Sequence, residues 1–224
     1  MKPVILNHSL NKTALWNGCM LASIAHAIMV AHDPELAYEH SWDGQNYNVV
    51  DSSGGRGTVT FDDNYIVGAF RVEGVSRPDR PAAVDFFAGA PKEVLELAKE
   101  ETLAYLLEED EDGTVSPLIT TAFWGDRGTL SSADSIVRFV RYGGYLLEEQ
   151  FMDTEAAIEA WREYYEMNEA QVQLLTSLYA RKIQHPEDPI ALTRREIDMI
   201  GSDNPEGLSE SRTSFAEIGI AWEE

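Results

Sequence analysis

The chain has 224 residues, with 39 Asp and Glu against 17 Lys and Arg, and its formal net charge at pH 7 is -22. Nucleic acids and anionic membrane surfaces repel such a chain, because binding to either depends on clustered Lys and Arg. The charge therefore excludes both as expected partners and favours a basic protein partner.

The bulk composition favours a globular protein of the cytoplasm. Hydrophobic residues make up 44% of the chain and aromatic residues 10%, which is too apolar for a disordered protein. Cys19 is the single cysteine, so an internal disulfide and a multi-cysteine zinc site are excluded. The apolar stretch near the N-terminus is too short for a signal peptide.

The first predicted element is a buried helix. Asn17 is a suitable N-cap, and the residues from Gly18 to about His32 are apolar on nearly every side. The Asp33-Pro34 dipeptide ends the helix, because the residue before a proline avoids the helical conformation.

Strands follow the helix. Asn46–Asp51, Arg56–Phe61 and Tyr65–Val72 are separated by Ser, Gly, Asp and Asn residues typical of tight turns. Connections this short cannot hold a crossover helix, so the pattern predicts a three-strand antiparallel meander. The β-prone segment Pro117–Phe123 is predicted to pair with it.

The rest of the chain is predicted to be mainly helical. Helices are expected from Pro91 to Leu106, over Ser131–Tyr142, Thr154–Met167 and Glu169–Gln184, and from Thr193 to Gly201. Capping boxes are predicted at Asn168 with Gln171 and at Thr193 with Glu196. The fold class is therefore α+β: a buried N-terminal helix, a meander and a larger C-terminal helical part. Residues 1–224 are taken as one domain, with a possible boundary near 73–81.

One arrangement of residues suggests nucleophilic catalysis. Cys19 is placed near the start of the first helix, where the helix dipole favours a thiolate. A four-residue loop would pair His40 with Asp51 across a hairpin, which gives a base oriented by a carboxylate. The order Gly18-Cys19, His40-x-Trp42 and Asp51 resembles the core of transglutaminase-like enzymes, in which a cysteine opens a helix and histidine and aspartate lie on adjacent strands.

Two alternatives to this catalytic interpretation come from the same residues. If Asp43-Gly44 forms a two-residue turn, His40 pairs with Tyr47 and Asp51 falls out of register. Cys19 is also a typical small buried residue of a core helix.

A second candidate site is a dense acidic run: Glu108, Glu109, Asp110, Glu111 and Asp112. The pattern places this run at the C-terminal end of a helix, where acidic side chains are unfavourable. Trp42, Asp43 and Tyr47 form an aromatic and polar cluster at the start of the first strand, with chemistry typical of binding surfaces. These two groups are the predicted partner-binding residues.

The sequence therefore predicts a non-enzymatic acidic binding protein that docks or neutralises a basic protein, as an immunity protein does with a basic toxin. The alternative is a cysteine-dependent hydrolase or acyltransferase that uses Cys19, His40 and Asp51. A third interpretation is that the acidity maintains solubility alone. No metal-binding or cofactor-binding motif is found.

Overall fold

The computed structural model describes residues 3–7, 11–75, 77, 81–110, 112–126, 128–186 and 188–223. The helices are α1 (Lys12–Met29), α2 (Lys92–Glu100), α3 (Ile136–Arg141), α4 (Thr154–Tyr164), α5 (Glu169–Gln184), α6 (Arg194–Ile200) and α7 (Pro205–Glu217). The strands are β1 (Val4–Asn7), β2 (His40–Asp43), β3 (Asn46–Val50), β4 (Arg56–Phe61), β5 (Ile66–Arg71), β6 (Leu107–Glu109), β7 (Val115–Pro117), β8 (Thr121–Gly125), β9 (Leu130–Ser132), β10 (Ile190–Leu192) and β11 (Ile220–Trp222).

The predicted α+β class is confirmed, and so is the meander, since β3, β4 and β5 pair in sequence with antiparallel registers. The expected three-strand sheet was too small. The sheet has seven strands in the order β1-β9-β8-β5-β4-β3-β2. The predicted strand at Pro117–Phe123 overlaps β8, which begins at Thr121 and pairs with β5, whereas Pro117 ends β7. β1 and β9 have only four and three residues, too few for an alternating pattern to be recognised.

The described residues form two compact units. Unit 1 combines residues 1–15 with 45–148, and unit 2 combines 16–44 with 149–224. The possible boundary near 73–81 lies inside unit 1, although Ser76 and residues 78–80 are outside the described residues. Whether the chain behaves as one domain stays a prediction.

Both faces of the sheet in unit 1 are packed. On one face, Val67 and Ala69 of β5 contribute to a core cluster with Val94 and Ala98 of α2. The other face carries the rings of Phe70, Phe123 and Phe139, whose centroids lie 5.9 to 6.1 Å from one another. Gly68 has no room for a side chain, because a Cβ there would lie 2.1 Å from Phe123 Cε1.

In unit 2, α1 and α7 lie close together. The Ser211 hydroxyl donates to the Ala27 carbonyl at 2.5 Å, and a Cβ at Gly207 would lie 2.2 Å from the Ala31 carbonyl oxygen. A pair of parallel strands, β10 and β11, completes this unit with α4, α5 and α6.

Several helix boundaries differ from the prediction. α1 begins at Lys12, where the Asn11 side chain accepts the amide of Ala14, so Asn17 is inside the helix and not its cap. α2 ends at Glu100 and is followed by a 3-10 helix over Thr102–Leu106.

The predicted helix at Ser131–Tyr142 is shorter than expected. Its first residues belong to strand β9, and α3 begins after Ser135, which is the N-cap. Both predicted capping boxes are present, and Gly201 ends α6 with a φ of 77°.

A buried ion pair links the loop before α2 to the segment before α3. Arg77 and Asp134 are 7% and 6% exposed, and their side chains form two hydrogen bonds of 2.8 and 3.1 Å. The Arg77 guanidinium also donates to the Thr120 carbonyl and lies over the Phe86 ring, 4.5 Å from its centroid. Polar and aromatic groups of unit 1 therefore hold this cation.

Asp134→Asn should destabilise the protein by about 3 kcal/mol, because it leaves the buried Arg77 charge without its counterion. Urea unfolding followed by circular dichroism measures this loss. Glu96→Gln, which breaks the exposed Lys92–Glu96 pair on α2, is the control and should leave the midpoint unchanged. Equal small effects for both variants would contradict a structural role for the buried pair.

Candidate functional site

Cys19 lies in the middle of α1, eight residues into the helix, and is fully buried. Burial raises the pKa of the Cys19 thiol well above its usual value. The expectation of a cysteine at a helix N-terminus was wrong, because α1 begins at Lys12, well before Cys19. A protonated and inaccessible thiol favours the packing interpretation of this residue.

His40 belongs to a buried aromatic cluster in unit 2. Its ring centroid lies 5.3 Å from that of His26 and 5.4 Å from that of Trp161, both in edge-on geometry. Burial and the neighbouring His26 lower the pKa of His40 well below its usual value. Burial also lowers the pKa of His26 to about 4, although its ring bonds the Leu36 carbonyl at 3.0 Å. Both imidazoles are therefore neutral at pH 7.

A carboxylate adjoins this cluster. Glu39 is 3% exposed and accepts hydrogen bonds from the hydroxyls of Tyr164 at 2.7 Å and Tyr165 at 2.9 Å. The Tyr165 ring is stacked on Trp161, which contacts His40. Each carboxylate oxygen of Glu39 therefore accepts a hydrogen bond from one tyrosine hydroxyl, which gives this carboxylate a structural role.

Asp51 organises a turn in unit 1. One carboxylate oxygen accepts the amides of Ser53 and Gly55, and the other accepts the Tyr145 hydroxyl at 2.7 Å. Partial burial alone would raise the pKa of Asp51, but the hydrogen bonds from Tyr145, Ser53 and Gly55 outweigh it and lower the pKa. Burial and the bond to Asp51 raise the pKa of Tyr145 to about 12. These contacts give Asp51 a full set of structural partners.

The acidic run does not form a helix end. Instead, β6 and β7 form an antiparallel hairpin, with Glu108 opposite Ser116 and Glu109 opposite Val115. The Asp110 carboxylate accepts the amides of Asp112 and Thr114 and so caps the turn. Glu111 lies outside the described residues. The helical prediction failed here because the chain leaves α2 at Glu100 and enters strands after one 3-10 segment.

The two faces of this hairpin differ in character. Glu108 forms ion pairs with Arg56 and Arg71, which sit directly opposite each other on β4 and β5. Side chains alternate along a strand, so Leu107 and Glu109 lie on the other face, with Val115 across from Glu109. Leu107 and Val115 are 46% and 57% exposed. The face away from the arginines therefore offers aliphatic and acidic groups together.

A groove of about 540 Å³ adjoins this face. It is lined mainly by apolar side chains, among them Val84, Leu103, Leu107 and Pro117, with Lys99 as the charged member. The surrounding sequence from Lys92 to Asp112 contains nine acidic residues and two lysines. We call the groove and the outer face of the β6–β7 hairpin the hairpin surface.

The predicted binding cluster of Trp42, Asp43 and Tyr47 is exposed only in part. Tyr47 is fully buried and Trp42 is 9% exposed, whereas Asp43 is exposed. The Trp42 indole N–H donates to the Ser23 hydroxyl at 2.8 Å, and the Trp42 amide donates to the Glu217 carboxylate at 2.9 Å. Trp42 also lines a cavity of about 430 Å³ in unit 2.

No family model, curated protein or solved structure matches the chain. Among the described residues, no helix is long and apolar enough to cross a membrane. Within the same residues, no group of three or more His, Cys, Asp or Glu side chains is arranged to hold a metal ion.

Acid should destabilise the fold through His26. Its pKa of about 4 in the folded chain lies below the ordinary value of 6.5, so the unfolded chain binds a proton that the folded chain does not. The contribution of His26 to the free energy of unfolding is therefore fully present above pH 6.5. It is lost as the pH falls towards 4, by about 3 kcal/mol in all.

Urea unfolding at pH 7, 5.5 and 4.5 measures this loss. Between the highest and lowest pH, the wild type should lose about 2 kcal/mol more than His26→Gln, whose amide does not titrate. His185→Gln removes an exposed histidine and should keep the wild-type dependence. Parallel curves for the wild type and His26→Gln would show that His26 does not cause the acid sensitivity.

Proposed function

We propose that this chain is an acidic binding protein that docks a basic protein through the hairpin surface. The observation that supports the proposal is that exposed aliphatic side chains and exposed carboxylates lie together at the β6–β7 hairpin. Aliphatic groups supply binding energy when they are removed from water, and carboxylates select a cationic partner.

The local charge supports a cationic partner. Glu108 has its own arginine partners, but Glu109, Asp110 and Asp112 are exposed. Exposed like charges on neighbouring residues repel one another, and a basic partner relieves that repulsion. The partner residues proposed here are therefore Glu109, Asp110 and Asp112, while Glu111 remains a prediction from the sequence.

The apolar component argues for more than charge alone. A surface that serves only solubility needs carboxylates and no aliphatic groups. Here Val84, Leu107 and Val115 are each more than 40% exposed beside a groove. Such a groove fits an amphipathic segment with apolar side chains on one face and Lys or Arg around them.

The geometry favours this function over the cysteine-dependent alternative. The Cys19 thiol is protonated and buried, and Asp51 is committed to a turn and to Tyr145. Asp43 and Trp42 remain proposed partner residues. Asp43 is exposed, but Trp42 is largely buried and offers a partner little surface.

A synthetic amphipathic Leu and Lys helix, with a scrambled peptide of the same composition, tests the proposal. Calorimetry should show that the amphipathic peptide binds, and that Glu109→Gln with Asp112→Asn weakens binding about tenfold at low salt. This variant keeps Glu108 and Asp110, so the ion pairs and the turn cap remain. The loss should shrink at high salt because exposed charges are screened.

The matched control is Glu155→Gln with Glu163→Gln on α4, which changes the net charge by the same amount at exposed positions of unit 2. It should bind within twofold of wild type. Leu107→Ser with Val115→Ser should weaken binding at every salt concentration, because it removes apolar contacts. Equal losses in the acidic variant and its control, or equal binding of the scrambled peptide, would leave the charge as a bulk property and reject the proposal.

A further inference from the structure

The cavity of unit 2 brings together residues that are distant in the sequence. It is lined by Trp16 and Met20 of α1, Trp42 of β2, Lys182 of α5 and Glu217 of α7. Asp188, in the loop that follows α5, lines it as well. Its volume of about 430 Å³ is within the range of small-molecule sites.

Glu217 is one of the charged residues that line this cavity. Its carboxylate accepts the Trp42 amide at 2.9 Å, which fixes one oxygen. Partial burial raises the pKa of Glu217, the Trp42 bond opposes this, and the nearby Asp43 charge raises the pKa further. Desolvation and the Asp43 charge therefore both disfavour the ionised form of Glu217, and a bound cation would favour it.

The charged lining residues taken together carry a net negative charge. Lys182 is 7% exposed and donates to the Pro186 carbonyl at 2.8 Å, while Glu217 and Asp188 contribute two negative charges. Tryptophan is the aromatic side chain that attracts cations most strongly, and two tryptophans line the cavity. Their rings also provide apolar area for the body of a ligand.

We propose that this cavity binds a small organic cation, an alkylammonium or alkylguanidinium compound, with its charged group on Glu217 and its alkyl part against Trp16 and Trp42. The site lies in unit 2 and is independent of the hairpin surface, so it stands or falls apart from the proposed function. A ligand should therefore need both a positive charge and an apolar body to bind in this cavity.

Butylguanidinium is a suitable probe, with 1-pentanol as the uncharged compound of similar size. Two-dimensional NMR should show saturable shifts of the Trp16 indole and of the Gly44 and Gly219 amides with butylguanidinium, and weak or no shifts with 1-pentanol. Glu217→Gln should weaken binding at least tenfold. Its side-chain oxygen still accepts the Trp42 amide, so the local structure is kept.

Glu210→Gln is the matched control, because Glu210 lies on α7 two turns before Glu217 and does not line the cavity. It should bind within twofold of wild type. Trp16→Phe should keep more affinity than Trp16→Ala. Equal affinity of wild type and Glu217→Gln, equal binding of 1-pentanol, or shifts confined to other residues would overturn the proposal.

Discussion

The shortage of cations is the constraint on which this structure depends. With 17 Lys and Arg for 39 acidic residues, each arginine used inside the fold leaves more carboxylates uncompensated at the surface. Arg77 is committed to Asp134, and Arg56 and Arg71 both contact Glu108. The exposed acids of the hairpin, Glu109, Asp110 and Asp112, belong to this excess.

The features that could be predicted from sequence are those decided by local chemistry. The capping boxes at Asn168 and Thr193 need only residues three positions apart, and the meander needs only turn residues between β-prone segments. The edge strand β1 pairs with β9 through residues more than 120 positions apart. Such pairing leaves little trace in a three- or four-residue segment, so the predicted sheet had too few strands.

The acidic hairpin shows how one local signal can outweigh another. The periodicity from Leu95 to Leu106 suggested a continuous helix, and the acids after it were assigned to its end. Asp112-Gly113 is a strong turn signal, and Gly113 adopts a φ of 79°, which suits glycine. A turn at this dipeptide implies flanking strands, and strand alternation places Glu108 and Glu109 on opposite faces.

The candidate sites were harder to predict than the fold, and the reasons are physical. Because α1 begins at Lys12 and not at Gly18, Cys19 lies among core side chains and not near free helix amides. The pKa of its thiol is therefore raised, where a helix N-terminus would lower it. The cavity around Glu217 joins residues 16, 42, 182 and 217, and no motif relates such separations.

The same charge imbalance connects both proposed binding surfaces to stability. Carboxylates held close together raise the free energy of the folded chain, whereas the expanded unfolded chain separates them. A cation that binds only the folded chain therefore contributes its binding free energy to stability. At the hairpin surface the repelling groups are solvated, so salt screens them. The Glu217 side chain is exposed as well, but its carboxylate accepts the Trp42 amide and lies near the Asp43 charge. A bound organic cation would offset the charge at that position by direct contact.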